Sequence, residues 1–376
     1  MTLRVGAFVL AAQFPGQGHG EALHRAVRSA EEAEDAGLDA VWLAEHHFVP
    51  YGVCPSAVTL AALLLGRTRR IGVGTAVSVL PNAHPVALGE QTALLHLTSG
   101  GRFTLGVGRG GPWVDLEVFG GGLEAYERGF PEALDLLLRW LREPRVGAGE
   151  GADPGTDTGT GTGTGTGTDA DADRAEAGAA RYHFREVPVV PRADEPLGEA
   201  AEAPPVVVAC TSPGTVRLAA RRGLPMLLGM HCGNEEKAAM TDLWRREALA
   251  AGQDADVVAE AAARHVSAGV VQLADTQQEA AEALTKAMPG WLREGLAAHR
   301  TVDGRERQPR DPLGYTELLC GLHPVGPPRL CADRLAETSE MTGISRFALL
   351  VEGSGDLAAT EANVQRLGSD VLPLLR

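Results

Sequence analysis

The chain is short of positive charge. Its 376 residues include 34 lysines and arginines against 49 aspartates and glutamates, which gives a formal net charge of −15. Nucleic acids and anionic membrane surfaces attract clustered lysine and arginine. The balance therefore argues against nucleic acid or membrane as the main partner, although one local basic site for a phosphate group is compatible with it.

Cysteine is also scarce, and the five cysteines are far apart in the chain: Cys54, Cys210, Cys232, Cys320 and Cys331. No CxxC pair occurs, so neither a disulfide framework nor a cysteine-rich zinc site is indicated. We predict reduced, structural thiols and a cytoplasmic location.

Long apolar runs are absent. The N-terminal stretch MTLRVGAFVLAAQF has one arginine before a short apolar run, as a signal peptide does, but Gln13, Pro15 and Gln17 interrupt it. The run is too short to span a bilayer. We expect a first buried strand here, with neither export nor a membrane segment.

What the chain does have is a regular alternation of short apolar stretches with helical patterns. The helical segment GEALHRAVRSAEEAEDAG, for example, repeats apolar residues every three or four positions and ends at Gly37. Eight stretches have the character of strands: VGAFVL (5 to 10), AVWLA (40 to 44), IGVGTAVSVL (71 to 80), FTLGVG (103 to 108), PVVVAC (205 to 210), LPMLLGM (224 to 230), SAGVVQL (267 to 273) and RFALLVEG (346 to 353). The pattern predicts an α/β fold, a (β/α)8 TIM barrel with insertions that forms one domain over residues 1 to 376. A doubly wound open sheet alternates in the same way and is the alternative.

Two segments break the alternation. Residues 147 to 180 are a low-complexity Gly-Thr-rich stretch with almost no apolar bulk, which predicts a flexible surface insertion. Residues 289 to 328 are rich in Arg, Gly and Pro and predict a long connection. Such a connection is either an active-site lid or an inert loop.

The stretch GVGRGG (106 to 111) satisfies G-x-G-x-x-G, but Pro112 delays the helix that a dinucleotide site requires. Arg109 is the better clue, because the carboxyl ends of barrel strands carry the chemistry and a guanidinium there suits a phosphate. CTSPGT (210 to 215) follows the fifth strand and brings hydroxyls and free N–H groups to a helix start. This is either a simple N-cap or an anion site.

The second strand ends in EHHF (45 to 48). Adjacent strand residues point to opposite faces, so His46 and His47 should not share one pocket, and a metal site is not expected. After the third strand, the small residues Gly74, Thr75 and Ala76 either leave room for a flat ligand ring or simply fit a crowded barrel interior.

Several motifs taken together resemble the bacterial luciferase-like flavin monooxygenases. They are VWLAEHHF (41 to 48), GTAVSVLPNAHP (74 to 85), LTSGGRFTLGVGRG (97 to 110), CTSPGT (210 to 215) and TGISRFALLVEG (342 to 353). The likeness covers nearly the whole chain except 147 to 180 and much of 289 to 320.

The resemblance implies an FMN-dependent enzyme. A separate NAD(P)H-dependent flavin reductase would supply FMN as FMNH2, O2 would form a flavin 4a-hydroperoxide, and a small organic substrate would be oxygenated, in a setting we expect to be secondary metabolism. The resemblance also implies a homodimer.

The resemblance assigns roles to residues. His46 would handle a proton, and His47, His84 and Trp113 would line the substrate pocket. The implied cofactor-binding residues, with Ala76 and Val77 joined by a cis peptide, are Glu45, Ala76, Val77, Arg109, Ala209, Cys210, Thr211, Ser212, Thr215 and Met230.

Two departures from the family matter. Gly108 stands where the luciferase catalytic subunit has a reactive cysteine, and Gly229 and Met230 stand where the family has a Ser-Trp pair. Both weaken the expectation of a long-chain aldehyde substrate and of light emission, and neither affects FMN binding. A deazaflavin-dependent oxidoreductase and a non-catalytic flavin-binding relative are the alternatives, and the sequence does not name the substrate.

Overall fold

The computed structural model describes residues 2–149, 181–194, 203–297, 300–304 and 311–376. The strands are β1 (Arg4–Val9), β2 (Ala40–Leu43), β3 (Gly72–Thr75), β4 (Ser78–Val79), β5 (Phe103–Gly108), β6 (Arg145–Ala148), β7 (Phe184–Pro188), β8 (Val206–Cys210), β9 (Met226–Leu228), β10 (Val266–Val270), β11 (Gln272–Leu273), β12 (Val325–Gly326) and β13 (Arg346–Leu350).

The α-helices alternate with these strands. They are α1 (His19–Asp35), α2 (Ala57–Arg67), α3 (Pro85–Thr98), α4 (Trp113–Val118), α5 (Gly122–Glu124), α6 (Phe130–Arg142), α7 (Pro213–Arg221), α8 (Asn234–Ala250), α9 (Ala255–Ala262), α10 (Gln277–Ala297), α11 (Pro312–Leu322), α12 (Pro328–Thr342), α13 (Leu357–Arg366) and α14 (Leu372–Leu375). A π-helical turn (Ala125–Gly129) leads into α6. Within the described ranges, no helix is both long enough and apolar enough to cross a bilayer.

The strands close into a parallel barrel. β1, β2, β3, β5, β8, β9, β10 and β13 are neighbours in chain order, and β13 pairs with β1 to complete the circle. β4 follows β3 and also pairs with β5. Each of the eight predicted stretches contains one of these barrel strands. The (β/α)8 prediction is thus confirmed, and the open-sheet alternative is wrong because the first and last strands are hydrogen-bonded to each other.

Alternate side chains of each strand enter two different cores. In β1, Val5 and Val9 pack beneath the helices, whereas Phe8 packs inside the barrel, as the two-residue period of a strand requires. Trp42 of β2 also points inward, and a Cβ added to Gly74 would lie 2.6 Å from its indole ring. Gly74 therefore makes room for the Trp42 ring, which agrees with the interpretation that small residues in this stretch fit a crowded barrel interior.

A buried ion pair lies near the place where the first and last strands of the barrel meet, which we call the seam of the barrel. Arg25 of α1 and Glu352, just after β13, are 1% and 0% exposed, and Nε of the arginine lies 3.5 Å from the carboxylate. Glu352 also accepts a hydrogen bond from the backbone N–H of Leu10, at 2.7 Å. Burial raises the pKa of Glu352, and Arg25 opposes that effect. The loops that follow the first and last strands are thus held by one carboxylate.

The two segments that break the alternation in the sequence, 147 to 180 and 289 to 328, differ in how much of them the structure describes. β6 and β7 form an antiparallel pair beside the barrel, and most of the predicted insertion at 147 to 180 lies outside the described residues. The segment 289 to 328 is largely helical where it is described, since α10 extends to Ala297 and α11 follows. Burial of Trp291 and Leu292, each 1% exposed, outweighs the low helix propensity of Pro289 and the glycines nearby.

Candidate active site

The carboxyl ends of all eight parallel strands meet at one mouth of the barrel, and the predicted site residues that follow strands lie there. The histidine pair comes after β2. The His46 ring packs edge-on against Tyr51 at 5.0 Å between centroids, whereas the His47 ring packs edge-on against Phe119 at 4.9 Å. The chain turns immediately afterwards, because Phe48 has a φ of 61°. The two histidines therefore have different surroundings.

Glu45 connects this strand end to its neighbours. Its carboxylate accepts hydrogen bonds from the backbone N–H of Ala57, at 3.2 Å, and of Val79, at 3.0 Å. Oε1 also lies 3.5 Å from Nε2 of His47, and both side chains are largely buried. Glu45 thereby ties the start of α2 and strand β4 to the histidine pair.

Asp115 completes a buried group of three titratable side chains. It lies in the first turn of α4 and is 3% exposed. Desolvation raises its pKa to about 6; the nearby His47 lowers it and Glu45 raises it further. Its Oδ1 atom has no hydrogen-bond partner among the residues that the structure describes. We name Glu45, His47 and Asp115 the acid–histidine cluster.

Arg109 follows β5 and is held by a tyrosine. Its Nη2 donates a hydrogen bond to the phenol oxygen of Tyr126 at 2.8 Å, and its Cζ lies 3.9 Å from the centre of that ring. Tyr126 is 6% exposed and belongs to the π-helical turn. A cation–π contact combined with a hydrogen bond fixes the guanidinium at the mouth.

The next strand of the barrel ends beside Arg109. Val107 of β5 pairs with Val208 of β8, so Arg109 and Cys210 come two residues beyond paired positions. The helix α7 then begins after Ser212, whose side chain forms a reciprocal capping box with Thr215. The hydroxyls are thus engaged as an N-cap, while Ala209 and Thr211 flank the strand end. The positive end of this helix and the guanidinium lie at neighbouring strand ends, and we name them the anion cradle.

The thiol of Cys210 does not contribute nucleophilic chemistry. It is buried, it donates weak hydrogen bonds to the carbonyl oxygens of Val208 and Thr215, and burial raises its pKa to about 12. A thiol that stays protonated is inert.

The peptide bond between Ala76 and Val77 is cis, as the resemblance implies. Val77 also explains the glycine at position 108, because a Cβ there would lie 2.5 Å from its Cγ2 atom. The space that a cysteine side chain would need is filled by Val77.

The other predicted residues lie further out. Met230 follows β9, and its carbonyl oxygen lies 2.6 Å from Nε2 of His323. Trp113 begins α4 and is 41% exposed, and its backbone N–H donates a hydrogen bond to the backbone carbonyl of Arg300 at 2.8 Å. His84 is exposed and caps α3 by accepting a hydrogen bond from the N–H of Val86. It lines a separate cavity beside the mouth.

Asp115 and Tyr126 are the residues that the sequence did not reveal. The one available signal for Asp115 was an acidic residue in the first helical turn after the Gly-rich loop of Arg109. Tyr126 had no local signal, since it reaches Arg109 only through the fold. Within the described ranges, no group of three or more His, Cys, Asp and Glu side chains is arranged to hold a metal ion.

Known proteins place the chain in a family. Residues 3–346 match the family model described as luciferase-like monooxygenase. The alkanal monooxygenase alpha chain of Photorhabdus luminescens is 27% identical over 391 residues, covering 100% of this chain and 97% of the relative. The protein of the same name from Aliivibrio fischeri is 26% identical, covering 100% and 99%.

Solved structures show the same fold. Monooxygenase RslO1 from Streptomyces bottropensis has a TM-score of 0.76 and 20% identity, with 99% of each chain covered. The oxygenating constituent of 3,6-diketocamphane monooxygenase from Pseudomonas putida, in complex with FMN, has a TM-score of 0.69 and 19% identity, with 99% and 98% covered. An F420-dependent secondary alcohol dehydrogenase has a TM-score of 0.69 and 15% identity, with 100% of each chain covered. The chain belongs to the luciferase-like monooxygenase family and is a flavin-dependent monooxygenase.

Proposed function

We propose that the chain uses reduced FMN, supplied by a separate NAD(P)H-dependent flavin reductase, and O2 to oxygenate a small organic substrate. Reduced FMN supplies two electrons, one oxygen atom enters the substrate, and the other leaves as water. The observation that carries this proposal is the presence, at one mouth of the barrel, of an anion cradle and a buried acid–histidine cluster.

The anion cradle fits the phosphate of FMN. Arg109 offers a guanidinium that Tyr126 holds in place, and the start of α7 offers its positive end and the N–H of Gly214, since Pro213 has no N–H and that of Thr215 is bonded to Ser212. A phosphate would contact both, because these groups follow the paired strands β5 and β8. Charge-assisted hydrogen bonds of this kind supply both affinity and orientation.

His46 is the residue that we propose to move a proton. Imidazole is the side chain whose ordinary pKa lets it exchange a proton near neutral pH. Such a group is needed here because the reduction of O2 to water consumes protons. Tyr51 packs against the His46 ring and is in turn stacked on Trp291 of α10 at 4.7 Å. These aromatic contacts fix the ring orientation and keep water from that side.

The test is the reaction of bound reduced FMN with O2 in stopped flow, using wild type, His46→Gln and the control His24→Gln. His24 is exposed on α1 and is not among the residues of the candidate site. We expect all three proteins to bind FMN within about twofold of one another, and only His46→Gln to change the kinetics of reaction with O2. Failure of the wild type to bind either oxidised or reduced FMN would overturn the proposal.

A deazaflavin-dependent oxidoreductase is the second candidate, and the likeness in fold to an F420-dependent dehydrogenase favours it. Competition between reduced FMN and reduced deazaflavin distinguishes the two. Preferential deazaflavin binding without O2 consumption would make the deazaflavin-dependent oxidoreductase the preferred function. A non-catalytic flavin-binding protein would bind FMN, and its His46→Gln variant would behave as wild type.

We further propose that the chain forms a homodimer through α2 and α3 and acts in the cytoplasm. Leu63 of α2 and Leu94 of α3 are 47% and 54% exposed. These helices contact each other and follow the second and third barrel strands. Two exposed leucines on neighbouring helices support an apolar contact surface.

A further inference from the structure

A cavity of about 640 Å³ lies beside the barrel mouth, between the start of α3, helix α6 and the antiparallel pair β6–β7. This volume falls within the range of sites that hold small organic molecules. The cavity is distinct from the anion cradle, since neither Arg109 nor Ser212 lines it.

Aromatic rings dominate its lining. Phe119, Trp140, Tyr182 and Phe184 all contribute to the wall, and the rings of His84 and Tyr182 meet edge-on at 5.2 Å between centroids. Such a wall favours a flat, conjugated ligand, because stacked and edge-on contacts add to simple burial of apolar surface.

The lining is also cationic within an acidic chain. Arg181 lines the cavity, and none of the described lining residues is acidic. The carboxylate of Glu132 is close by, but it accepts hydrogen bonds from the backbone N–H groups of Arg181 and Tyr182 and does not belong to the wall. The guanidinium of Arg181 forms no ion pair with another described residue. It is therefore available to a ligand carboxylate.

The cavity adjoins the acid–histidine cluster. Phe119 lines the cavity and packs edge-on against His47 at 4.9 Å. Pro81 and Asn82 follow the Ala76–Val77 peptide by only a few residues along the same chain segment. Phe119 is therefore common to the cavity wall and to the surroundings of His47, so a ligand in the cavity would contact the ring that packs against the acid–histidine cluster.

We propose that this cavity binds the organic substrate and that the substrate is a planar aromatic anion such as a fused-ring carboxylate. This inference rests on the proposed function for the role of the ligand as substrate. Binding of the aromatic anion itself depends only on the cavity. Aromatic walls select the rings, and Arg181 selects the charge.

The test is calorimetric titration of the FMN-free protein with 2-naphthoate. Its neutral analogue 2-naphthalenemethanol and the non-aromatic cyclohexanecarboxylate serve as ligand controls. Arg181→Gln removes the cavity charge. Arg185→Gln is the matched control, because Arg185 lies on the same strand pair, is exposed, and does not line the cavity.

We expect 1:1 binding of 2-naphthoate, weakened about tenfold or more by Arg181→Gln, which corresponds to about 1.4 kcal/mol. Arg185→Gln should leave the affinity unchanged, and both control ligands should bind more weakly than 2-naphthoate. Absence of saturable binding, or equal loss in Arg181→Gln and Arg185→Gln, would overturn the proposal.

FMN binding, followed by flavin fluorescence in the same proteins, separates the two proposals. Normal FMN binding without 2-naphthoate binding overturns the substrate class alone. Binding of 2-naphthoate without FMN binding overturns the proposed function and leaves the cavity assignment supported.

Discussion

The phenol of Tyr126 holds Arg109 in two ways, through a 2.8 Å hydrogen bond from Nη2 and through its ring face 3.9 Å from Cζ. Tyr126→Phe keeps the ring and removes only the hydrogen bond. We expect FMN affinity to fall about three- to tenfold in this variant, and about a hundredfold in Arg109→Gln, which loses the charge.

Riboflavin, which lacks the phosphate, supplies the internal control for that prediction. Its affinity should be unchanged in both variants, and fluorescence quenching measures both ligands. Arg246→Gln, on the exposed surface of α8, should behave as wild type. If riboflavin and FMN weaken in parallel, Arg109 is not a phosphate ligand.

The buried carboxyl of Asp115 makes stability depend on pH. Its pKa in the folded chain is raised from 3.8 to about 6, so the folded state retains a proton that the unfolded state has lost between these values. Stability should fall as the pH rises through this window. Above pH 6, Asp115→Asn should be more stable than wild type by roughly 1–3 kcal/mol, and below pH 4 the two should be equal.

Denaturant unfolding at pH 4, 5 and 7.5 measures this difference. Asp242→Asn, at a side chain that is 63% exposed, is the control and should show no such dependence. A difference between wild type and Asp115→Asn that is constant across pH would refute the assignment.

Gly108 leaves no room for a side chain beside Val77. Gly108→Ala should therefore destabilise the protein by about 1–3 kcal/mol, since a Cβ would lie 2.5 Å from Cγ2 of Val77 and overpacking in a core has this cost. Gly66→Ala is the control. It lies in α2 with nothing within 4 Å of an added Cβ, and it should stabilise by about 0.5–1 kcal/mol. Thermal or denaturant unfolding distinguishes the two, and similar effects at both positions would contradict the steric explanation.

The proposed dimer predicts a change in mass. Leu94→Glu places a charge on an exposed apolar position of α3 and should shift the protein toward its 39.3 kDa monomer. Leu249→Glu, at a residue of α8 that is 47% exposed, should leave the mass unchanged. Light scattering coupled to gel filtration measures this, and a wild type that is already monomeric would rule the dimer out.

The sequence predicted the barrel well because each strand and helix has its own local pattern. Gly37 ended α1 as predicted: the helix stops at Asp35, and Gly37 adopts a φ of 77°. The extent of α10 was not predictable, because packing of Trp291 and Leu292 overrides the local signals of Pro289 and nearby glycines.

The site was predictable only where a motif records it. The histidine pair and Arg109 directly follow predicted strands, so the strand pattern alone places them at the carboxyl end of the barrel. Asp115 and Tyr126 act through contacts made by the folded chain, with His47 and Arg109 respectively. No spacing rule joins such residues, and only the structure brings them together.

The seam of the barrel has a consequence for biosynthesis. Arg25 is translated early and Glu352 very late, yet in the folded chain both are buried and their side chains lie 3.5 Å apart. At a ribosomal rate of about 5–20 residues per second, the arginine waits tens of seconds for its counter-charge. Until then the first strand lacks β13, the partner that closes the ring. The barrel can therefore close only after its last strand, β13, has been translated.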